Sequence, residues 1–243
     1  MPDHKTVYLS ETDRYDRLVA CEDFEGNILK NIEKVSTLFQ KDVVEFGAGT
    51  GRLTTLLAPI VNSIQAFDSS SAMLEVAEKK LKVFPNMNWR LQQADNRSIP
   101  VPDHCADIVI SGWSICYFAS WGGSEWIKDL KKSFSEMRRI LRTGGKIVLL
   151  ETMGTGFEQP TPPLHLQEYY HLLATYGFKS DWFRTDYKFA NLSEAVDLVK
   201  FFFGDELAGE VERKGSLILP ECTGIWWIDS KDLSFHEGIE TVK

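Results

Sequence analysis

The chain has 243 residues, a length that suits one elaborated α/β domain with a sizeable buried core. Hydrophobic residues make up 43% of the chain and charged residues 26%, a composition that excludes wholesale disorder. The net charge of −8, from 27 basic and 35 acidic residues, argues against a general binder of nucleic acid or of anionic membranes.

The cysteines and the apolar segments predict the compartment. The four cysteines form no C-x-x-C pair and have no histidines at zinc spacing; they are Cys21, Cys105, Cys116 and Cys222. The first residues are polar without an apolar h-region, and no stretch reaches the roughly 18 apolar residues of a membrane span. We therefore expect a cytoplasmic protein with reduced thiols, no metal site and no membrane partner.

In chain order, the apolar pattern predicts strands and helices in alternation. Residues 1–22 are polar with scattered aromatics and are expected to be irregular, and a helix is predicted over 24–38. Five strands are expected over residues 42–46, 63–67, 89–94, 107–111 and 146–151. Ser70 or Ser71 is expected to cap the helix after the second strand, and the glycines at 144–145 to end the helix before the fifth. Such successive β-then-α units imply a parallel, doubly wound sheet with right-handed crossovers.

The last third of the chain changes character after three prolines near residue 160. Helices are expected around residues 164–176 and 192–213. Strand-like sequence is expected near 178–189, and extended segments over 217–219 and 225–228. We expect this tail to continue the same sheet rather than to form a second domain.

The most informative motif lies between the first predicted strand and the next helix, where residues 45–51 read E-F-G-A-G-T-G. Glycines tolerate positive φ angles and let the backbone come within contact distance of a ligand. Backbone N–H groups at such a turn can bind ligand oxygens. Asp68 ends the next strand, so its carboxylate is expected beside the glycines, where it can accept hydrogen bonds from both hydroxyls of a ribose. The alternatives are a tight turn without a ligand and a helix-capping aspartate.

The glycine loop departs from the dinucleotide fingerprint. The last glycine of G-x-G-x-x-G would fall at position 52, where this chain has Arg52, and its third glycine comes one residue earlier, at Gly51. Glu45, which opens the loop, suits a ligand with a cationic amino-acid end better than one with two phosphates. The pattern therefore argues against a pyrophosphate cofactor and a nicotinamide dehydrogenase.

These residues carry a family resemblance. Residues 44–51 resemble motif I of the class I S-adenosylmethionine-dependent methyltransferases, (V/L)-(D/E)-x-G-x-G-x-G, and Asp68 matches the acidic residue that ends their second strand. Three further segments resemble, in order, the end of their third strand, their fourth strand and the turn before the fifth: residues 94–96, 106–111 and 141–147. Thr143 stands where proline is usual in that turn. The resemblance spans roughly residues 20–151.

The resemblance implies a fold and a cofactor. The fold is a Rossmann-like, doubly wound α/β fold with a seven-stranded, mostly parallel sheet, an antiparallel last strand and helices on both faces. The cofactor is S-adenosylmethionine, with its ribose on Asp68 and its adenine beside Phe67, Asp95 and Asn96. The implied cofactor-binding residues are Glu45, Gly47, Ala48, Gly49, Gly51, Asp68, Ser69, Asp95, Asn96 and Ser111.

The predicted organisation is a single domain. It consists of a helical lid or lead-in over 1–40, a cofactor-binding core over 41–151 and a C-terminal part over 152–243 that completes the sheet and the acceptor site. The resemblance is to the small-molecule branch typified by ubiquinone and menaquinone biosynthesis, which implies a small acceptor methylated by in-line displacement. The sequence specifies neither the acceptor nor the oligomeric state.

No catalytic motif is evident, and none is required, because a base is needed only if the acceptor must lose a proton. Trp113 and Tyr117 follow the fourth strand and are expected to border donor and acceptor, with core packing as the alternative. His165 and His171 are expected on a helix over the acceptor side, where a histidine could act as base; surface histidines are the alternative.

Three other functions remain as alternatives. The first is a methyltransferase acting on RNA or protein, against which the acidity of the chain counts. The second is a module that binds S-adenosylmethionine without turnover, and the third is the dehydrogenase. Tyr8 and Tyr15 are candidates for a lid that excludes water, with ordinary surface aromatics as the alternative.

Overall fold

A computed structural model describes residues 4–85 and 88–234. Its strands are β1 (Asp42–Phe46), β2 (Ser63–Asp68), β3 (Trp89–Gln93), β4 (Ala106–Gly112), β5 (Leu141–Thr155), β6 (Lys179–Arg184), β7 (Tyr187–Lys188), β8 (Ile218–Leu219) and β9 (Glu221–Asp229). Seven of them form one sheet in the order β3-β2-β1-β4-β5-β9-β6. Strands β1 to β5 pair in parallel, whereas β9 runs antiparallel to β5 and to β6. The seven-stranded sheet with an antiparallel last strand is therefore confirmed.

Helices cover both faces of this sheet. They are α1 (His4–Ser10), α2 (Thr12–Ala20), α3 (Asn27–Val35), α4 (Arg52–Leu57), α5 (Ser71–Leu81), α6 (Tyr117–Trp121), α7 (Trp126–Ile140), α8 (Gln167–Thr175), α9 (Leu192–Phe203) and α10 (Asp205–Lys214). None of the helices in the described residues has both the length and the apolar character needed to cross a membrane.

The continuous apolar runs of the central strands follow from burial on both faces. In β1, Val43 packs with α3 and α4, whereas Val44 packs on the opposite face with α7 and α8. In β4, Ile108 and Val109 alternate in the same way. The strand order reverses between β1 and β4, which is where ligands bind in doubly wound sheets, beyond the carboxyl ends of the strands. Ser70 caps α5, as predicted, with its hydroxyl accepting the Met73 N–H at 3.3 Å.

The expected irregular lead-in over 1–22 is wrong for the residues that the structure describes. From residue 4 onward the chain forms α1 and α2, whose apolar side chains Val7, Leu18 and Val19 are buried. Two helices of 7 and 9 residues are too short for a 3.6-residue period to emerge from a polar sequence. Residues 1–3 of the predicted lead-in lie outside the described residues.

Three other expectations need correction. Helix α7 ends at Ile140, before the glycines at 144–145, because Leu141 is already extended and opens β5. The helix expected over 192–213 is two helices, since Gly204 takes φ 98° and ψ 177°, a conformation that breaks the helical path. The tail continues the sheet only through β6 and β9, whereas β7 and β8 form a separate two-stranded ribbon.

Candidate active site

A cavity of about 460 Å³ lies beyond the carboxyl ends of β1, β2, β3 and β4. Its walls come from the glycine loop after β1, the ends of β2, β3 and β4, and the helices α1, α2 and α6. This volume is typical of small-molecule sites, which are about 300–1,000 Å³. The cavity therefore has the size and the place expected for a ligand site in a doubly wound sheet.

The three glycines of the loop have positive φ angles for two different reasons. A Cβ at Gly47 would overlap the side chain of Ser114, and one at Gly51 would lie 2.8 Å from the Cβ of Ala77 in α5. These two glycines are thus required by packing. Gly49, with φ 54°, lines the cavity, and a Cβ there would meet nothing within 4 Å. The missing side chain of Gly49 leaves open space beside the loop.

Asp68 ends β2 with its carboxylate against this loop. One oxygen accepts the Gly49 N–H at 2.8 Å, and the other accepts the Ser70 N–H at 2.8 Å. Burial raises the pKa of Asp68, and these backbone bonds, with one from Ser69, oppose the rise. Since a carboxylate oxygen can accept more than one hydrogen bond, both oxygens keep capacity for ligand hydroxyls.

Glu45 lies deeper in the same wall. Its side chain is 1% exposed, and one carboxylate oxygen accepts the Thr54 hydroxyl at 2.6 Å. Burial raises the pKa of Glu45 to about 8, and the nearby charge of Asp68 adds to the rise. A cationic ligand bound nearby would therefore stabilise the ionised form of Glu45, because a nearby positive charge favours ionisation of a carboxyl group.

Arg52, the first residue of α4, also lines the cavity. Its guanidinium is ion-paired with the buried Glu22, and its central carbon lies 3.5 Å from the ring centroid of Trp113. Trp113 has φ 50°, which is rare for a bulky residue and marks a strained backbone. Such strain clusters at ligand sites, and here it brings the indole against the guanidinium.

The other arginine of the cavity, Arg97, is held by two carboxylates. Arg97 donates to both oxygens of Asp95, at 2.9 and 2.6 Å, and to Asp129 at 2.9 Å. The hydrogen bonds that Arg97 donates lower the pKa of Asp95. Beside them the Asn96 amide donates to the hydroxyl of Ser114 at 3.2 Å. This end of the cavity therefore offers amide and carboxylate groups that are already oriented.

Aromatic side chains form the roof. The hydroxyls of Tyr8 and Tyr117 are hydrogen-bonded to each other, and Tyr8 meets Tyr15 edge-on with centroids 5.2 Å apart. Tyr117 stacks on Trp121 at 4.0 Å. Burial raises the pKa of Tyr15 to about 12 and lifts the pKa values of Tyr8 and Tyr117 as well. All three hydroxyls thus stay protonated near neutral pH.

Most of the cofactor-binding residues implied by the family resemblance line this cavity. They are Glu45, Gly47, Ala48, Gly49, Asp68, Ser69, Asp95 and Asn96. Two do not line it. Gly51 directly precedes α4 and packs against α5. Ser111 is fully buried and donates to the Phe46 carbonyl at 2.9 Å, which ties β4 to β1. Phe67 is also buried, in the core cluster beneath α7.

The structure separates the four candidate catalytic residues into two pairs. Trp113 and Tyr117 line the cavity, whereas His165 and His171 are exposed and do not. The buried face of α8 is Tyr169 with two leucines, so His171 lies on the solvent side. Among the described residues, no lining residue follows Asp129, so the expected acceptor-site role of 152–243 receives no support from the cavity.

Several lining residues carry no sequence signal that singles them out. They are Met73, Arg97, Phe118, Trp121 and Asp129. In the sequence, Arg52 stood out only because it departs from the dinucleotide pattern. Its place directly after the glycine loop nevertheless indicates a position near a ligand. In the described residues no cluster of three or more His, Cys, Asp or Glu side chains is arranged to hold a metal ion.

Known proteins resemble this chain in its central part. Residues 44–149 match the family described as the methyltransferase domain. A demethylmenaquinone methyltransferase of Staphylococcus epidermidis is 31% identical over 170 residues, which cover 68% of this chain and 64% of that enzyme. A malonyl-[acyl-carrier protein] O-methyltransferase of a Paenibacillus species is 31% identical over 137 residues, 54% of this chain and 45% of that enzyme. The chain thus spans less than two thirds of the length of these curated relatives.

A solved structure agrees on the fold. A candidate methyltransferase of Bacillus halodurans aligns with TM-score 0.56 and 16% identity, over 83% of this chain and 98% of that one. At this identity the likeness shows the fold alone. Together with the sheet order and the domain match, it identifies residues 44–149 as a domain of the class I S-adenosylmethionine-dependent methyltransferase family. One of the two relatives, the demethylmenaquinone methyltransferase, agrees with the quinone-biosynthesis branch that the sequence resembles.

Proposed function

We propose that this protein binds S-adenosylmethionine in the cavity and transfers its methyl group to a small acceptor molecule. The observation that carries the proposal is the open loop at Gly49, with the Asp68 carboxylate hydrogen-bonded to the loop and the buried Glu45 beside it. The set fits a ligand with a ribose and a cationic end, and its two carboxylates disfavour a pyrophosphate.

The lining residues fit the parts of this cofactor. Asp68 would hold the ribose hydroxyls, Asp95 and Asn96 the adenine end, and Glu45 the cationic amino-acid end. The space left by the missing side chain of Gly49 would admit the cofactor against the loop. When bound, S-adenosylmethionine supplies a methyl group on a sulfonium, which an acceptor nucleophile can take by displacement.

The residues of this chain would then enclose the cofactor and align it with the acceptor. The aromatic roof of Tyr8, Tyr15, Tyr117 and Trp121 shields the cavity from water and offers apolar faces to an acceptor. Holding two reactants in register supplies about 7–11 kcal/mol of barrier reduction, so alignment alone accounts for much of the catalysis. The roof tyrosines stay protonated and supply no base, so an acceptor suited to this site arrives already nucleophilic.

We further propose a small-molecule acceptor, one domain over 1–243 and a cytoplasmic location. The size of the cavity, the net charge of −8 and the two relatives named for demethylmenaquinone and for malonyl-[acyl-carrier protein] support the first. Four free cysteines support a reducing compartment. The acceptor atom is left open.

The test is an assay with methyl-labelled S-adenosylmethionine. A panel would comprise a naphthohydroquinone, a malonyl thioester, bulk RNA and a protein extract. We expect label in a small molecule together with S-adenosylhomocysteine formation, both strongly reduced by Asp68→Ala when the cofactor is not saturating. Label in RNA or protein alone would contradict the small-acceptor proposal. Tight cofactor binding with no transfer to any member would favour a module without turnover.

A further inference from the structure

The hydroxyls of Tyr8 and Tyr117 form a pair that bridges the cavity. Tyr8 lies in α1, and its carbonyl accepts the Ser70 hydroxyl at 2.9 Å, two residues beyond Asp68. Tyr117 begins α6, which follows β4. Both side chains line the cavity, and their hydroxyls are hydrogen-bonded to each other. The pair therefore connects the side of the cavity at β2 to the side at β4.

This pair has one hydrogen to spare. Each tyrosine hydroxyl has one hydrogen to donate, and a single bond between two hydroxyls uses one of the two. The hydroxyl of Tyr15 interacts with Tyr8 as a third member. It brings one hydrogen and uses one, so the count is unchanged. Apart from these contacts, the hydroxyls of Tyr8 and Tyr117 form no hydrogen bond within the described residues. One O–H hydrogen is thus left for a ligand in the cavity.

The surroundings of this O–H group are aromatic and uncharged. Trp121 stacks on Tyr117 with ring centroids 4.0 Å apart, and Phe118 and Val19 line the same cavity. Burial raises the pKa of Tyr8 and of Tyr117, so both keep their hydrogens near neutral pH. The two guanidinium groups of the cavity, by contrast, are each held by carboxylates. The roof therefore offers a neutral donor beside flat apolar faces.

This donor narrows the class of acceptor. An aliphatic alcohol keeps its proton near neutral pH, and the roof supplies no base to remove it. An amine would give to the O–H group the lone pair with which it attacks the methyl group. A phenol or an enol ionises more readily, and its oxygen has lone pairs left to accept a hydrogen bond. A flat conjugated molecule with such an oxygen therefore fits the roof best.

We propose that the Tyr8–Tyr117 pair donates a hydrogen bond to the oxygen of a phenolic or enolic acceptor and so holds that acceptor beneath the aromatic roof. The inference rests on the proposed function, because it takes the cavity to be the methyl-transfer site. It adds the class of acceptor and the residues that recognise its oxygen. The acceptor binds as its anion, having lost the hydroxyl proton to bulk water.

The experiment measures how strongly the site recognises an oxygen atom. The probes 2-naphthol and 2-methylnaphthalene have nearly the same shape, but only the first has an oxygen. Each is titrated into the S-adenosylhomocysteine complex at pH 7, and binding is followed by fluorescence. The ratio of the two affinities is compared between proteins, so that their shared apolar contribution cancels. In a Tyr8→Phe/Tyr117→Phe double variant this ratio should fall at least about fivefold, the scale of one hydrogen bond.

Single variants give the signature of a shared pair. In Tyr8→Phe or Tyr117→Phe the remaining hydroxyl loses its partner but keeps its own hydrogen, so the ratio should fall only in part. Tyr15→Phe should leave the ratio unchanged, because Tyr15 brings one hydrogen and uses one. The matched control is Tyr170→Phe, since that hydroxyl donates to the Thr152 carbonyl and the residue does not line the cavity. Its ratio should equal that of the wild type.

The possible failures are distinguishable. A wild-type protein that does not bind S-adenosylhomocysteine contradicts the proposed function itself. A complex that binds neither naphthalene compound, or binds them with the same ratio in wild type and double variant, overturns the role of the pair alone. If the double variant loses affinity for S-adenosylhomocysteine at an unchanged ratio, the spare hydrogen belongs to the cofactor and the assignment to the acceptor is overturned. An equal fall in Tyr170→Phe would also overturn it, because the effect would then be general.

Discussion

Asp68 and Glu45 lie near the ends of neighbouring strands but differ in their environment, and this difference suits them to bind different parts of a ligand. Asp68 is held by three backbone N–H groups, whereas the deeply buried Glu45 has a single hydroxyl as donor. A carboxylate with several N–H partners is fixed in position and stays ionised more easily. One with few partners in a buried place gains most from a cationic ligand.

Replacement of Asp68 by alanine tests the ribose contact. We expect Asp68→Ala to weaken S-adenosylhomocysteine binding by about 2–3 kcal/mol, because charge-assisted hydrogen bonds to the ligand are lost. Calorimetric titration of both proteins measures the difference. Equal affinities would remove Asp68 from the binding site.

Protonation of Glu45 gives a second test at the same scale. With a pKa of about 8 the carboxyl is mostly neutral at pH 7, and a bound ammonium favours its ionised form. Cofactor binding at pH 7 should therefore release close to one proton, and the affinity should rise between pH 6 and 8. Titrations in buffers of different ionisation enthalpy measure the release, which Glu45→Gln should abolish. Release that persists in the variant would assign it to another group.

At the scale of elements, the glycine loop is the part that the sequence predicted best. Steric limits on φ leave few residues that can occupy positions 47, 49 and 51, so the motif could be recognised from the letters alone. The strands were equally accessible, because both-face burial makes their apolar runs continuous. The sequence did not predict helices α1 and α2, because they have few apolar positions. Those positions are buried only by contacts with α5 and α9, which a local pattern does not show.

Gly49 offers the cleanest test of the loop. Gly49→Val should abolish cofactor binding in a folded protein, because the added side chain enters the cavity. Gly215→Val is the matched control, since Gly215 has a similar φ of 62°, open space for a Cβ and a place at the end of α10, away from the cavity. Both variants should lose similar stability by thermal melting, but only the first should lose binding. Tight binding by Gly49→Val would contradict the description of the loop.

Other site residues depend on partners far along the chain and could not be predicted. Glu22 and Trp113 fix the position of Arg52 in the cavity wall, and no local pattern in the sequence predicts either contact. The histidines show the converse. His165 and His171 were candidates by chemistry, yet both are exposed and neither lines the cavity. The buried face of α8 leaves His171 on the solvent side.

At the scale of the whole molecule, three of the buried glutamates among the described residues have charges that oppose folding. Burial is the first cause that raises the pKa of Glu45 and of Glu221 to about 8 and that of Glu151 to about 7. A carboxyl with a raised folded-state pKa contributes stability that is present in full below its unfolded value, near 4.5, and lost as the pH rises through the folded value. We therefore expect the melting temperature to fall between pH 5 and 8.5.

Glu151→Gln isolates one of these contributions. The Cys116 N–H and the Tyr169 hydroxyl both donate to one oxygen of Glu151, and an amide oxygen can accept both. The variant should gain stability on the order of 3 kcal/mol above pH 8, from about 1.4 kcal/mol per unit of pKa shift, and little near pH 4.5. Denaturant unfolding at the two pH values measures this. A gain that is the same at both would contradict the assigned pKa.

The central claim is that the cavity binds S-adenosylmethionine, and calorimetric titration of the purified protein with S-adenosylhomocysteine tests it most directly, with NADH as the control. The account predicts micromolar binding of the first ligand at one site per chain and no binding of NADH. No binding of S-adenosylhomocysteine would contradict the account, and binding of NADH in its place would make the protein a nicotinamide enzyme on the same fold.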